Sequence, residues 1–176
     1  VWIMTYLQLV NSVRRRMREE ETSSVENTTD SYVKLIGEFV NDGRRIVEDA
    51  WDWSALRKTV TVTTTNDVFS YSITGTNNSF KILDVINDTS NYFMRPISSS
   101  LMNKSYLTQT PATGSPLYYS WNGVDASGNA LVDLYPKPDK AYTLRFNIVD
   151  RADPFTLDAD KLYVPSQPVI NYAIAL

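Results

Sequence analysis

The chain has no cysteine and no histidine. The first absence excludes disulfides, thiolate nucleophiles and Cys-based zinc sites. The second removes every Ser-His or Cys-His catalytic pair, and with it the side chain that most readily moves protons near neutral pH. Glycine is scarce too, at six residues, and no Gly-rich phosphate loop or nucleophile elbow is found. There is no excess of positive charge: 17 Lys and Arg stand against 20 Asp and Glu, for a net charge of −3. Residues 1–57 hold 8 basic against 10 acidic side chains, so neither part of the chain is a basic module of the kind that binds nucleic acid by itself. No apolar run approaches the ~18 residues of a membrane span. The stretch from Met4 to Val13 is broken by Thr5, Gln8, Asn11 and Ser12, which does not read as a signal peptide. Met4 is the expected biological start, and a soluble, cytoplasm-assembled protein without membrane association is the expected class.

What is present is a globular composition rich in aromatics. Hydrophobic residues make up 43% and charged residues 21%, enough for one packed core. The 11 Tyr and 4 Trp suit a β core or an interface equally well.

The pattern then divides the chain. Thr5 and Gln8 have the spacing of a capping box, and Tyr6, Leu9, Val10, Val13 and Met17 follow with helical period. Arg14, Arg15, Arg16 and Arg18 run into Glu19, Glu20 and Glu21, which reads as a solvated, self-compensated helix end. After a polar link from Thr22 to Asp30, a longer stripe runs through Tyr32, Leu35, Ile36, Phe39, Val40, Ile46, Val47, Ala50 and Trp51. Gly43 lies inside it at about 1 kcal/mol of helix propensity against Ala, so the two helices are expected to pack closely there, with Trp51 and Trp53 joining the helix packing.

Beyond Trp53 the period falls to two. Thr59-Val60-Thr61-Val62-Thr63 and Phe69 to Thr74 read as strands joined by a hairpin turn at Thr65-Asn66-Asp67. Asn77-Asn78 marks another turn, and strands are expected at Phe80–Ile86, Phe93–Ile97, Leu117–Trp121, Ala130–Tyr135 and Tyr142–Ile148, with a short helix over Ser99–Leu107. Pro165-Ser166-Gln167-Pro168 reads as a helix start with Ser166 as cap, opening an apolar stripe of Val169, Ile170, Ala173 and Ile174. The expected fold is α+β: an αα-hairpin over 1–57, a mainly antiparallel β-rich region over 58–164, and the start of a C-terminal helix over 165–176.

Candidate chemistry is sparse. Asp42, Glu48, Asp49 and Asp52 form the densest carboxylate group, but beside Arg44 and Arg45 they read as a salt-bridged face, leaving an enzyme built on Asp49 and Asp52 as a remote alternative. Asp125-Ala126-Ser127-Gly128-Asn129 lacks the acidic ligands of a calcium loop and reads as a turn. Neither a metal site, a cofactor nor a catalytic residue is expected. Tyr118, Tyr119 and Trp121 lie close together, but no Lys or Arg falls between Lys104 and Lys137, so packing in the sheet or against a neighbour is the expected role; in a binding module for glycans or host surfaces they would instead form a stacking platform.

The wording of Tyr6 to Asn11, Leu35 to Arg57, Phe80 to Thr89, Tyr119 to Asp125 and Val164 to Ala173 resembles adaptor proteins of the head-to-tail connector in tailed phages. That resemblance implies a non-enzymatic virion protein, assembled in the host cytoplasm, that forms a ring of about twelve copies between the portal ring and a tail or nozzle protein. It also implies a lumen through which DNA passes without sequence recognition, and a C-terminal segment that grips the portal. On this reading Val169, Ile170, Ala173 and Ile174 begin the portal contact, while Tyr118, Tyr119, Trp121 and Asp125 contribute to subunit or tail contacts.

Overall fold

The computed structural model describes residues 3–77, 79–107 and 110–176. In chain order, α1 spans Tyr6–Arg16, α2 Ser31–Asp49, β1 Arg57–Thr63, β2 Ser70–Ile73, β3 Lys81–Asn87, β4 Tyr92–Phe93, β5 Arg95–Pro96, α3 Ser99–Leu107, β6 Tyr118–Val124, β7 Ala130–Tyr135, β8 Thr143–Val149 and α4 Ser166–Ala175. The fold is α+β, with helices at both ends and two mostly antiparallel sheets. The Asn77-Asn78 turn falls partly on Asn78, outside the described residues. Two compact units result, one of residues up to Leu56 together with Arg151–Leu176, the other of Arg57–Asp150.

The helical unit starts as its sequence dictates. The Thr5 hydroxyl accepts from the Gln8 N–H and the Gln8 amide oxygen accepts from the Thr5 N–H, closing the capping box of α1. Asp30 caps α2 by accepting from Tyr32 N–H at 2.9 Å. Ser166 is instead the first residue of α4, which follows Pro165 without a side-chain cap. A proline there fixes φ ahead of the first turn, so the helix begins without a hydroxyl acceptor.

Leu9, Val10 and Val13 of α1 are buried with Val33, Ile36, Val40 and Val47 of α2, and with Val169, Ile170 and Ala173 of α4. The close neighbour at Gly43 is α4, not α1: a Cβ there would lie 2.8 Å from the Val169 carbonyl oxygen and 3.2 Å from the Ala173 nitrogen. A glycine in the stripe reports that some backbone comes near, and tertiary packing decides which one. The approach of α1 falls at Gly37, against the Tyr6 ring and Val25.

Residues 151–164 return along these helices and are tied down polar group by polar group. Tyr6 N–H donates to Asp160 O at 2.8 Å and Leu162 N–H to Met4 O at 2.9 Å. The Asn41 amide brackets Phe155, donating to its carbonyl at 3.2 Å and accepting from its N–H at 2.8 Å. Asp158 accepts from Val25 N–H and Glu26 N–H. Arg44, 4% exposed, donates to the carbonyls of Asp153 and Ala152 at 2.8 and 3.0 Å, lies 4.3 Å over the Phe155 ring and is 3.5 Å from Glu48, 5% exposed. Burial pulls the Arg44 guanidinium below its ordinary pKa and pushes the Glu48 carboxyl above its own, each opposed by the other's charge.

The β unit sets sheet β1-β8-β3-β4 against sheet β2-β7-β6-β5. Ile73, Val85, Met94, Tyr119, Val132, Leu134, Leu144, Phe146 and Ile148 form its core. The expected hairpin at Thr65-Asn66-Asp67 does not form. β1 pairs with β8 and β2 with β7, so the link carries the chain from one sheet to the other. Adjacent strands with turn residues between them satisfy local rules, but here each finds its partner in a strand more distant in sequence. The Phe93–Ile97 strand likewise divides around buried Met94, β4 joining one sheet and the parallel β5 the other. α3 forms over the expected residues, burying Met102 and stacking Tyr106 on Phe69 with ring centroids 4.3 Å apart.

Two outcomes follow for stability in urea. Gly43→Ala gains helix propensity but forces α4 away from α2, and is expected to destabilise by about 1–3 kcal/mol. Arg44→Ala takes its nearest countercharge from buried Glu48, and is expected to cost about 3–5 kcal/mol. Adding Glu48→Gln to Arg44→Ala removes the stranded charge and should return part of that loss.

Candidate assembly surface

α2 carries a wider apolar arc than its unit can cover. Ile36, Val40, Gly43 and Val47 point inward, while Tyr32, Leu35 and Ile46 are exposed and Phe39 is half-buried. The positions 32, 35, 39 and 46 lie along one side of the helix, forming a second, outward stripe. At one end the Tyr32 hydroxyl lies 4.0 Å from the sulfur of Met17, itself exposed. Beside Gly43 the stripe meets α4, whose Tyr172 Cβ would be 3.3 Å from a side chain placed at Gly43. Tyr172, Ile174 and Leu176 are exposed on and after α4. An open groove of about 460 Å³ near the start of α4 is lined by Ile3, Ala55, Leu162, Tyr163, Val164 and Pro165, among others.

The residues singled out from sequence therefore separate. Val169, Ile170 and Ala173 are spent inside the helical unit, and Ile174 alone of the four is exposed. Trp51 is 69% exposed beyond the end of α2, whereas the Trp53 indole donates to Val47 O at 2.8 Å and closes the last turn. Tyr119 and Trp121 face the sandwich core, where Trp121 meets Phe80 and Phe146 edge-on or tilted, and Tyr118 is half-buried. The three aromatics thus do not form an open stacking platform. Tyr172, Leu176 and the outward half of α2 were not singled out. Their signal was the width of the stripe from Tyr32 to Trp51, too broad for one buried face.

Several polar groups have partners within the helical unit. Arg14 is not part of a solvated charge pair: it is buried, donates to Glu20 O and lies 5.9 Å over the Tyr32 ring. Its partners are the Glu20 carbonyl and the Tyr32 ring, which the sequence spacing to Glu residues could not show. Arg15 does pair with Glu21, and Arg16 reaches Asn171 and Gln167 of α4. In the acidic group Glu48 is buried against Arg44, and Asp49 pairs with Arg151. Among the described residues no acidic cluster of three or more is placed to hold a metal, and no helix is long and apolar enough to cross a membrane.

A family model described as SU10 adaptor protein matches residues 4–176. The chain belongs to the SU10 adaptor protein family. The match spans both units of this adaptor. It agrees with the resemblance to phage connector adaptors and makes the chain a phage structural adaptor. No curated protein matches the chain.

In this adaptor Asp125 organises the β6–β7 hairpin tip. It accepts from the Asn129 side-chain amide at 3.0 Å, and from the backbone N–H groups of Asn129 and Ser127 at 2.9 and 2.8 Å. The Asn129 contacts, with help from Ser72 and Ser127, hold the Asp125 carboxyl down to about 2. Because the folded value lies below the ordinary ~3.9, the tip's stabilisation is complete above that value and lost as pH falls through about 2. Carboxyl NMR titration should place Asp125 near 2, and Asn129→Ala should move it back toward the ordinary value.

Proposed function

We propose that this adaptor works by assembly alone: copies form a ring, about twelve in number, on a portal ring, and join it to a tail or nozzle protein. The observation that carries this reading is the family match over residues 4–176, and the outward apolar stripe of the helical unit supplies the kind of surface it needs. Tyr and long aliphatic side chains in a contiguous stripe are the composition of interface cores. Within α4, Val169, Ile170 and Ala173 hold the helix in place, and Ile174 with Tyr172 and Leu176 meets the portal. The stripe of Tyr32, Leu35 and Ile46 contacts a neighbouring copy. The β unit reaches toward the tail, with Asp125 keeping its hairpin tip in shape. DNA passes the ring without recognition, since the net charge of −3 gives phosphate no general attraction. No chemical step is assigned to any residue.

Native mass measurement of the chain, alone and mixed with a portal ring, tests the reading. The expected result is no ring from the chain alone and a stoichiometric ring on the portal; a chain that ignores the portal overturns it. Truncation before Pro165 would strip cover from the helical core, so surface changes are the better probe. Tyr172→Ser with Ile174→Asp should weaken portal binding by at least about tenfold while leaving the fold intact. Unchanged binding would remove α4 from the contact.

A further inference from the structure

The first strand of the β unit is an open edge. β1 ends the sheet order β1-β8-β3-β4, and its register with β8 fixes which of its backbone groups are used. Thr64 N–H donates to Tyr142 O, in line with the pairs Arg57↔Val149 to Thr63↔Thr143. Antiparallel hydrogen bonds fall on alternate pairs, so Lys58, Val60 and Val62 bond to β8 while Thr59, Thr61 and Thr63 turn their N–H and C=O groups outward. Those three threonines are exposed, and the inward-facing Val60 and Val62 are only half-buried, as expected where no strand lies alongside.

The other edges are short or interrupted. β4 and β5 have two residues each, and β5 ends in Pro96, which lacks a donor. β2 has four. β3 and β6, which β4 and β5 cover only in part, carry register shifts at Ile82/Asp84 and Trp121/Val124. β1 has seven residues with neither proline nor bulge, the form of edge that natural sheets usually blunt unless a strand adds to it.

We infer that β1 pairs with β1 of a second copy, antiparallel and centred on Thr61. In that register Thr61 faces Thr61, Thr59 faces Thr63 and Val60 faces Val62 of the second copy. Threonine pairs are favourable across strands, and the half-buried valines gain cover on the inner face. Charge selects the direction. The antiparallel register sets Arg57 opposite Thr65 and Lys58 opposite Thr64, so no cation faces a cation, whereas an in-register parallel pairing would align Arg57 and Lys58 with their own copies. The contact is two-fold and closes at two copies, so it differs from the head-to-tail contact that a cyclic ring requires. It stands or falls apart from the portal reading.

The chain has no cysteine, so single introduced thiols report the register on the full-length protein. With copper–phenanthroline as oxidant, Thr61→Cys should cross-link to itself at least about tenfold faster than Thr59→Cys or Thr63→Cys alone, since only position 61 brings two like residues within disulfide reach. Thr59→Cys mixed with Thr63→Cys should regain the fast rate. Sedimentation of the unmodified chain should show a concentration-dependent dimer that Thr61→Lys, with two ammonium groups on the axis, abolishes. Equal cross-linking at all three positions, or a dimer indifferent to Thr61→Lys, overturns the proposal. So would a chain that stays monomeric and offers β1 only to a strand of another protein.

Discussion

The pairing of β1 with β8 is the constraint on which the rest of the molecule depends. The chain leaves the helical unit at Leu56 and rejoins it at Arg151, and the helical core is incomplete without the residues that return. Phe155, Leu162, Val164 and the inner face of α4 all arrive after the β unit. Because Arg57 is the register partner of Val149, folding of the β unit brings departure and return side by side. Closing a flexible loop of this length would otherwise cost on the order of 4 kcal/mol in chain entropy. Folding of the inserted unit thus shortens the loop that the helical unit has to close.

The helical unit answers with polar ties instead of a larger apolar core. Asn41, Arg44 and Asp158 each satisfy backbone groups of segments that have no regular partner. Such groups would cost about 1–3 kcal/mol each if buried unpaired. The expense falls on Arg44 and Glu48, two charges held out of water, which explains why their pKa values move in opposite directions toward neutrality. With the return segment fixed this way, the apolar residues on the outward side of α2 are left over, and in a phage adaptor leftover apolar surface is where assembly can draw its energy.

Two of the exposed surfaces differ in chemistry. The helical unit shows aromatics and aliphatics along α2 and α4. The outer face of β1-β8-β3 is mostly polar, with Thr59, Asn147 and Asp84 linked by side-chain hydrogen bonds, Arg145 paired with Asp88, and Leu83 exposed beside them. A polar sheet face with an open backbone edge and an apolar helix face offer different kinds of contact, one directional through hydrogen bonds and one through area.

The local rules were enough for the elements themselves. The Thr5–Gln8 box, the change of period after Trp53, and the limits of α3 and β7 could all be read from neighbouring residues, because capping, helix period and strand alternation act over a few positions. The family wording was also legible along the chain. What the sequence could not settle were matters of partnership between distant residues. Gly43 announced a close approach but not that α4 makes it; Tyr119 and Trp121 allowed packing in the sheet or a contact face, and the fold turned them inward; Arg14 stood among exposed arginines yet is buried. The stripe on α2 held both a core face and an outward face, and only the arrival of α1 and α4 divided them. Local structure is fixed by spacing, whereas burial depends on which distant segment comes to lie alongside, and that is decided by the fold as a whole.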